Sequence, residues 1–376
     1  MKVTIRDVAR EAGVSVATVS RVLNSSGPVR ERTRERIREV AAALQYTPNG
    51  AARSLSTRRA STLGVILPGL DGEFFSEVIR GIDQAARQEG YHLLVSSSHN
   101  ERSEVEAAVR TMRGRVDGLI LMSPGVESAN AVPHPSESLP VVLLNSPEAV
   151  NGFDCVTIDN YGGAATLVRH LIAAGHERIA IINGADGNHD AGERARGYRD
   201  ALAGAGLECR AAWELRGDFA EESGHRAAAT IVGMSSRPTA IFAANDSMAV
   251  GALSALGEAG IRVPEDIAIG GFDDIPIARY MSPPLTSVHV PMGELGRRAV
   301  ATLLRAVESG NQHQRTREVI DTALVVRRSC GGAAIVAHAD SPAGPRSRAE
   351  PDVAVVLPPS TGRKLHPPGG ATCAFP

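Results

Sequence analysis

The sequence predicts an α/β protein in three parts: a small N-terminal headpiece of three helices containing a helix-turn-helix, a short hinge, and a two-lobed body of doubly wound parallel sheets. Three observations predict it. Residues 4–24 hold two short amphipathic helical stretches around a glycine. From residue 62 onward short apolar runs alternate with amphipathic helical stretches, in two successive sets. The chain is also 376 residues long, more than one ordinary domain holds.

In the first stretch, TIRDVAREAGVSVATVSRVLN, the apolar residues Ile5, Val8, Ala9 and Ala12 recur at the spacing of one helix face. Thr4 with Asp7 three positions on fits a capping box, and Gly13 supplies the turn. Ser15 is a good N-cap for a second helix whose inner face is Val19, Val22 and Leu23. Such a pair places its second helix in a DNA major groove and presents N-terminal residues to base edges. Val16, Ala17, Ser20 and Arg21 then face outward; Arg21 suits guanine O6 and N7, and Val16 and Ala17 suit thymine methyls. An ordinary helical hairpin with solvated charges has the same periodicity. A third helix from Arg32 to Tyr46, with Ile37, Val40, Ala41 and Leu44 on one face, closes the core and favours the DNA-reading alternative.

Charge supports that choice. Residues 1–59 hold twelve Arg or Lys against five Asp or Glu, a net of +7, which leaves −9 for the rest of a chain whose net charge is −2. A basic end on an acidic body is a polyanion footprint. No apolar run reaches the roughly 18 residues of a membrane span, and no signal peptide is evident, so a cytoplasmic protein without a membrane partner is expected. Cys155, Cys209, Cys330 and Cys373 are widely spaced and read as free thiols. His170 and His176 are the nearest approach to a metal pair, but Gly175 ends a helix between them, so no metal site and no cofactor is expected.

The body begins with LGVILP, a helix from Phe74 to Gly90, YHLLVSS, a helix from Glu101 to Gly114, DGLILM and PVVLLN. The second set runs FDCVTID, a helix from Tyr161 to Gly175, RIAIIN, a helix from Gly192 to Gly206, and a strand near Trp213. It continues with a helix from Ala220 to Met234, TAIFAA, a helix from Asp246 to Gly260, and DIAIGGF. TSVHV, a helix from Gly293 to Ser309 and one strand EVIDTALVV close it. The alternation argues for parallel strands joined by right-handed crossovers, with ligands beyond the carboxyl ends of the strands. No strand is followed by G-x-G-x-x-G, which argues against a dinucleotide site.

DVAREAGVSVATVSRVLN followed by YTPNGAARSL resembles the headpiece and hinge of the LacI/GalR (lactose repressor) family of bacterial transcription regulators. Phe74-Phe75, VDGLIL, GHERIAII, RARGYRDAL, AIFAANDSMAVGAL, VPEDIAIGGFDDIP and PPLTSV extend the resemblance to about residue 330. It implies a headpiece at 1–47, a hinge helix and linker at 48–61, and a periplasmic-binding-protein-like body at 62–330. The lobes are expected at approximately 62–160 with 291–318, and 161–290 with 319–330; residues 331–376, rich in Ala, Gly, Pro and Ser, read as a disordered tail containing one short apolar run, VAVVLPP, that suits a stray strand.

The resemblance implies DNA contacts from Thr4, Ser15, Val16, Ala17, Thr18, Ser20, Arg21, Asn24, Asn49 and Arg53, with Leu55 wedged into the minor groove at the centre of a pseudo-palindromic operator. Gly50 and Ala51 depart from the family's usual Ala and Val and predict a weaker hinge helix. For the effector it implies Arg194 as an oxygen-gripping fork, Asp273 as a carboxylate acceptor, Phe219 as a stacking ring, and Asn245 and Asn145 as polar contacts, with Asp71, Phe74 and Phe75 in the first cleft loop. The set resembles the sugar-binding members more than the purine-binding ones, although Val290 stands where some sugar binders have glutamine. The expected protein is therefore a homodimeric repressor controlled by a small molecule, with no leucine heptad to make a tetramer. A periplasmic binder would carry a signal peptide and no headpiece, and no nucleophile and base pair points to an enzyme.

Overall fold

Thr4 opens the first helix of the computed structural model, α1 (Ile5–Ala12), where the Asp7 carboxylate accepts both the Thr4 backbone N–H (3.0 Å) and its hydroxyl (2.7 Å). Gly13, at φ +68°, ends the helix in the left-handed conformation that glycine adopts without a Cβ penalty. α2 (Val16–Leu23) begins after Ser15, whose hydroxyl accepts the Thr18 N–H at 3.2 Å. α3 (Glu31–Ala43) starts one residue earlier and ends three residues sooner than its apolar pattern predicts. Val8, Ala9, Ala12, Val19, Val22, Ile37 and Ala41 form a closed apolar cluster behind these helices.

The structure describes residues 3–23, 27–46, 60–123, 139–146, 152–331 and 354–356. Asn24, Asn49, Gly50, Ala51, Arg53 and Leu55 lie outside the described residues, as does most of the tail.

The chain divides into two compact units, 1–70 with 78–156 and 296–317, and 71–77 with 157–295 and 318–376. The first holds the sheet built on β1 (Thr62–Leu67), β2 (His92–Ser97), β3 (Gly118–Met122), β4 (Val141–Leu144) and β5 (Asp154–Ile158), with β11 (Arg317–Ile320) at its edge in the order β11-β5-β4-β3-β1-β2. The pairs among β1 to β5 are parallel. FDCVTID, which opens the second set in sequence, thus supplies a strand of the first sheet. Ile66, Leu119, Leu121, Val141 and Leu143 form its core with Val105, Val109 and Met112 of α5 (Arg102–Met112). Strands buried along their length read as continuous apolar runs, the mark of a sheet covered on both faces.

The second unit's sheet is β13-β12-β10-β9-β8-β6-β7, from β6 (Ile179–Ile182), β7 (Glu214–Leu215), β8 (Ala240–Ala243), β9 (Ala268–Asp273), β10 (Thr286–His289), β12 (Ala323–Val326) and β13 (Ala354–Val356). β7 through β10 pair in parallel, whereas β12 and β13 are antiparallel additions. A Cβ on Gly270 would meet Leu167 of α6 (Asn160–Ala173), and one on Gly271 would meet Asp246 of α9 (Asp246–Glu258). Successive strand residues point to opposite faces, so α6 and α9 cover the two sides of β9. α7 (His189–Gly204) pairs with α6, and α8 (Glu221–Val232) with α9. α4 (Glu73–Gln88) and α10 (Met292–Ser309) complete the helices described.

One sequence expectation is corrected. EVIDTALVV is two strands in different sheets, because the chain turns at Asp321 and Thr322, where buried Thr322 reaches the Asp159 carbonyl. Residues 354–356 of the tail's apolar run form the stray strand that the run suits, and pair with β12, Leu324 opposite Val356.

α8 and α9 approach so closely that a Cβ on Gly251 would stand 1.8 Å from the Glu221 carbonyl oxygen, whereas exposed Gly257 on the same helix has nothing within 4 Å. Gly251→Ala is expected to lower stability in urea unfolding by about 1–3 kcal/mol or more through overpacking. Gly257→Ala should raise it by up to about 1 kcal/mol through helix propensity. Equal effects at the two glycines would contradict this packing.

Candidate functional sites in the headpiece and the body

On α2 the buried side is Val19 and Val22, and the opposite side presents Ser15, Val16, Ala17 and Arg21 to solvent, with Thr18 and Ser20 partly covered. Val16 is 42% exposed, an apolar side chain left open at the start of a helix. These residues stand together on one surface, as the helix-turn-helix reading requires.

In the second unit the candidate residues gather at the carboxyl ends of strands. Asp273 ends β9 and is 5% exposed; Arg194, in α7, is 4% exposed. Arg194 donates from Nε to Asn160 Oδ1 (2.8 Å) and from Nη1 to the Ala244 carbonyl (2.5 Å), and its guanidinium lies 3.8 Å from the Phe272 ring centroid. Asn160 in turn donates to Asp190 Oδ1 at 2.9 Å. Two of the five guanidinium N–H groups thus serve the protein, as a buried Arg satisfies donors locally. Nη2 points toward Asp273 and lies 3.4 Å from Oδ1, in ion-pair range but out of line for a hydrogen bond.

Asp273 Oδ1 is thus a buried carboxylate oxygen with no hydrogen bond from the described residues. Burial raises its pKa to about 7, the Arg194 charge draws it down, and Asp190 pushes it up. Its neighbour Asp274 is held below the ordinary carboxylate range, since the His289 hydrogen bond and the Arg327 charge outweigh burial. Arg327 Nη2 stands 2.7 Å from Asp274 Oδ1, again without alignment for a hydrogen bond.

Backbone strain marks the same places. Asp273 (φ +107°), Asp274 (+55°), Phe219 (+72°) and Asn145 (+48°) all lie in the left-handed region, which costs a non-glycine residue about 1–3 kcal/mol and clusters at functional sites. Phe219 is pinned there by the Asn245 side-chain N–H donating to its carbonyl at 3.0 Å, and its ring covers Gly184 so closely that a Cβ would stand 2.1 Å away. Asn245 Oδ1 caps α9 by accepting the Met248 N–H at 2.9 Å. The amide oxygen and one of its two N–H groups have protein partners, which ties the Phe219 backbone to the start of α9.

Asp71, Phe74 and Phe75 precede or open α4, with the two rings edge to face at 5.4 Å. Residues 71–77 group with the second unit, where Glu73 accepts the Ile277 N–H at 3.0 Å. Asn145 belongs to the first unit, at the end of β4; it is 2% exposed and its Oδ1 has no hydrogen-bond partner among the described residues. Ser123, directly after β3, has an Oγ in the same condition, and the pairing of Met122 with Leu144 sets the two side by side. Ser123, Asn160, Asp190 and Asp246 escaped the sequence reading. Ser123 follows DGLILM as Asn145 follows PVVLL, so the strand-end rule applied evenly would have found it. Of the histidines, His170 contacts the Cys330 sulfur at 3.3 Å and His176 the Thr239 hydroxyl at 3.1 Å.

A helix-turn-helix with an open recognition face, joined to strand ends that offer buried unfilled oxygens, defines a DNA-binding protein with a ligand-binding body. The profile described as bacterial regulatory proteins, lacI family, matches residues 4–49, and the periplasmic binding protein-like domain matches residues 168–330. The chain is 36% identical over 327 residues to the ribose operon repressor of Haemophilus influenzae, covering 87% of this chain and 98% of that one. It is 36% identical over 329 residues to the HTH-type transcriptional repressor PurR of Erwinia tasmaniensis, covering 87% and 96%. Among solved structures, the lac repressor dimer bound to operator and the anti-inducer ONPF superposes with a TM-score of 0.80 at 30% identity, over 88% of this chain and 99% of that one. A complex of the transcriptional regulator CelR with cellobiose gives 0.66 at 32% identity, over 87% and 99%. The chain belongs to the lacI family of bacterial regulatory proteins. Among the described residues no helix is long and apolar enough to cross a membrane.

Arg194→Lys separates structure from recognition. A lysine cannot serve both Asn160 and Ala244, so stability in urea is expected to fall by roughly 2–4 kcal/mol even without ligand. An unchanged midpoint would show that Arg194 does not brace the site.

Proposed function

We propose that this protein is a sequence-specific DNA-binding repressor of the bacterial cytosol, acting as a homodimer on a pseudo-palindromic operator and controlled by a small molecule held at its strand ends. One observation carries the reading: a single chain holds an outward-facing helix-turn-helix and a body with a buried carboxylate oxygen left unfilled in a strained turn. The likeness to repressors and to a sugar-bound regulator supports it.

The roles divide by chemistry. Arg21 reads a guanine edge, Val16 and Ala17 meet thymine methyls, and Thr4, Ser15, Thr18 and Ser20 hold phosphate and register. Asn24, Asn49 and Arg53 extend the contacts toward the minor groove, where Leu55 is the wedge. In the body Asp273 accepts a hydroxyl or ring N–H of the effector, Phe219 stacks on its ring, and Arg194 holds Asp273 in place. In the first unit Asn145 and Ser123 offer unfilled oxygens at strand ends, and Asp71, Phe74 and Phe75 line the first loop. Such donors abound on a sugar, which is the proposed effector class. The bound molecule is a signal and is not turned over.

Operator affinity follows from coupling. An effector that shifts the body between two states changes DNA affinity 5- to 150-fold for a coupling of roughly 1–3 kcal/mol. Fluorescence anisotropy on DNA from upstream of the protein's own gene, over a salt series with a panel of sugars and nucleosides, tests this. Expected are tight binding that random DNA does not match, a steep salt dependence, and one compound class that shifts affinity. Arg21→Ala should cost about 1–3 kcal/mol on the specific site alone. Leu55→Ala should weaken operator binding and leave ligand binding unchanged. Equal affinity for random and upstream DNA under every compound would overturn the reading.

A further inference from the structure

Asp246 is completely buried, at 0% exposure, and opens α9 directly after Asn245. Its carboxylate is spent on the segment just past β9. The Ile275 N–H donates to Oδ2 at 2.9 Å, and the Ser287 hydroxyl donates to Oδ1 at 2.6 Å. That same hydroxyl accepts the Asp274 N–H at 3.0 Å. The two residues after Asp273 are thereby tied, directly or through Ser287, to one buried carboxylate. Gly271 makes room for it, since a Cβ there would stand 2.1 Å from Asp246 Oδ1.

The arrangement is a poor one for stability alone. A buried carboxylate loses hydration, and this one lies beside two others, Asp273 and Asp274; burial and those like charges push its pKa well up. What it holds explains its use. Asp273 and Asp274 are both left-handed, a conformation that persists in non-glycine residues only when the surroundings over-determine it. Asp246 supplies the Ile275 and Ser287 bonds, beside the Val290 N–H on the Asp273 carbonyl and His289 on the Asp274 carboxylate.

We propose that Asp246 is a positioning residue for effector recognition: it fixes the left-handed Asp273–Asp274 turn through Ile275 and Ser287, so that Asp273 Oδ1 stays free for a ligand donor, and it does not touch the ligand. This rests on the effector reading above. The test uses the full chain carrying Asp246→Asn, Asp246→Ala or Ser287→Ala, with ligand-free crystal structures and calorimetric titration of D-ribose, cellobiose and o-nitrophenyl galactoside as probes.

In Asp246→Asn the amide still accepts from Ile275 but no longer accepts from Ser287. The turn is expected to leave the left-handed region at residue 274, and the affinity of any probe that binds the wild type to fall about tenfold or more, as for the loss of a bond to a charged group. Asp246→Ala should be worse, with Asp246→Asn as its partial rescue, and Ser287→Ala should shift the turn in the same direction. A merely structural Asp246 would lower the melting temperature while the folded variants kept both turn and affinity, and that result overturns the proposal. If no probe binds even the wild type, none of the three is the effector, and the turn decides alone: moved in Asp246→Asn supports the proposal, unmoved overturns it. Should Asp246→Ala fail to fold, the other two variants decide.

Discussion

A carboxylate at the end of β9 that its own protein cannot fully satisfy is the constraint on which the ligand-binding half depends. Asp273 is buried, its Oδ1 has no aligned donor, and the nearest cation, Arg194, is held back by Asn160 and the Ala244 carbonyl. A buried oxygen in that condition costs about 1–3 kcal/mol until a donor arrives. On the proposed function, a ligand donor at Asp273 would recover that free energy. The strained backbones of Phe219, Asp273 and Asp274 and the glycine clearances at Gly184 and Gly271 converge on the same strand ends.

The headpiece works on a different balance. Its seven buried residues form a small core, so the capping bonds at Thr4 and Ser15 and the turn at Gly13 carry a large share of its local stability. The second helix can leave its opposite face open because Val19 and Val22, with Leu23 partly buried beside them, anchor it. The recognition proposed there is by an exposed surface, while that proposed in the body is by buried atoms, and the two call for opposite sequence signals.

That difference explains what was legible beforehand. The helix-turn-helix is written in local periodicity and caps, so Val8, Ala12, Val19, Val22 and Ser15 could be placed from the sequence alone. The strands of both sheets are short apolar runs between turn residues and were equally plain. EVIDTALVV was not, because an apolar run does not announce that Thr322 is bonded to a distant carbonyl and that its halves join different sheets. Within the site, residue type and strand-end position picked out Arg194, Asp273 and Phe219, but whether a donor is free or spent depends on neighbours far along the chain. Asn160 lies 34 residues from Arg194, and Ser287 lies 41 from Asp246. Asp246 read as an ordinary helix start for the same reason.

The central claim is that an effector donates to the Asp273 carboxylate, and the pH dependence of effector affinity tests it most directly. Burial raises this group's pKa to about 7, against the pull of Arg194 and with the push of Asp190, so below neutrality the ligand-free protein holds it mostly neutral. A donor hydrogen bond favours the charged form. Affinity measured by calorimetry is therefore expected to tighten as pH rises from about 6 to about 8, and to lose that dependence in Asp273→Asn. An affinity for the wild type that is flat across this interval, or that weakens as pH rises, would contradict the account.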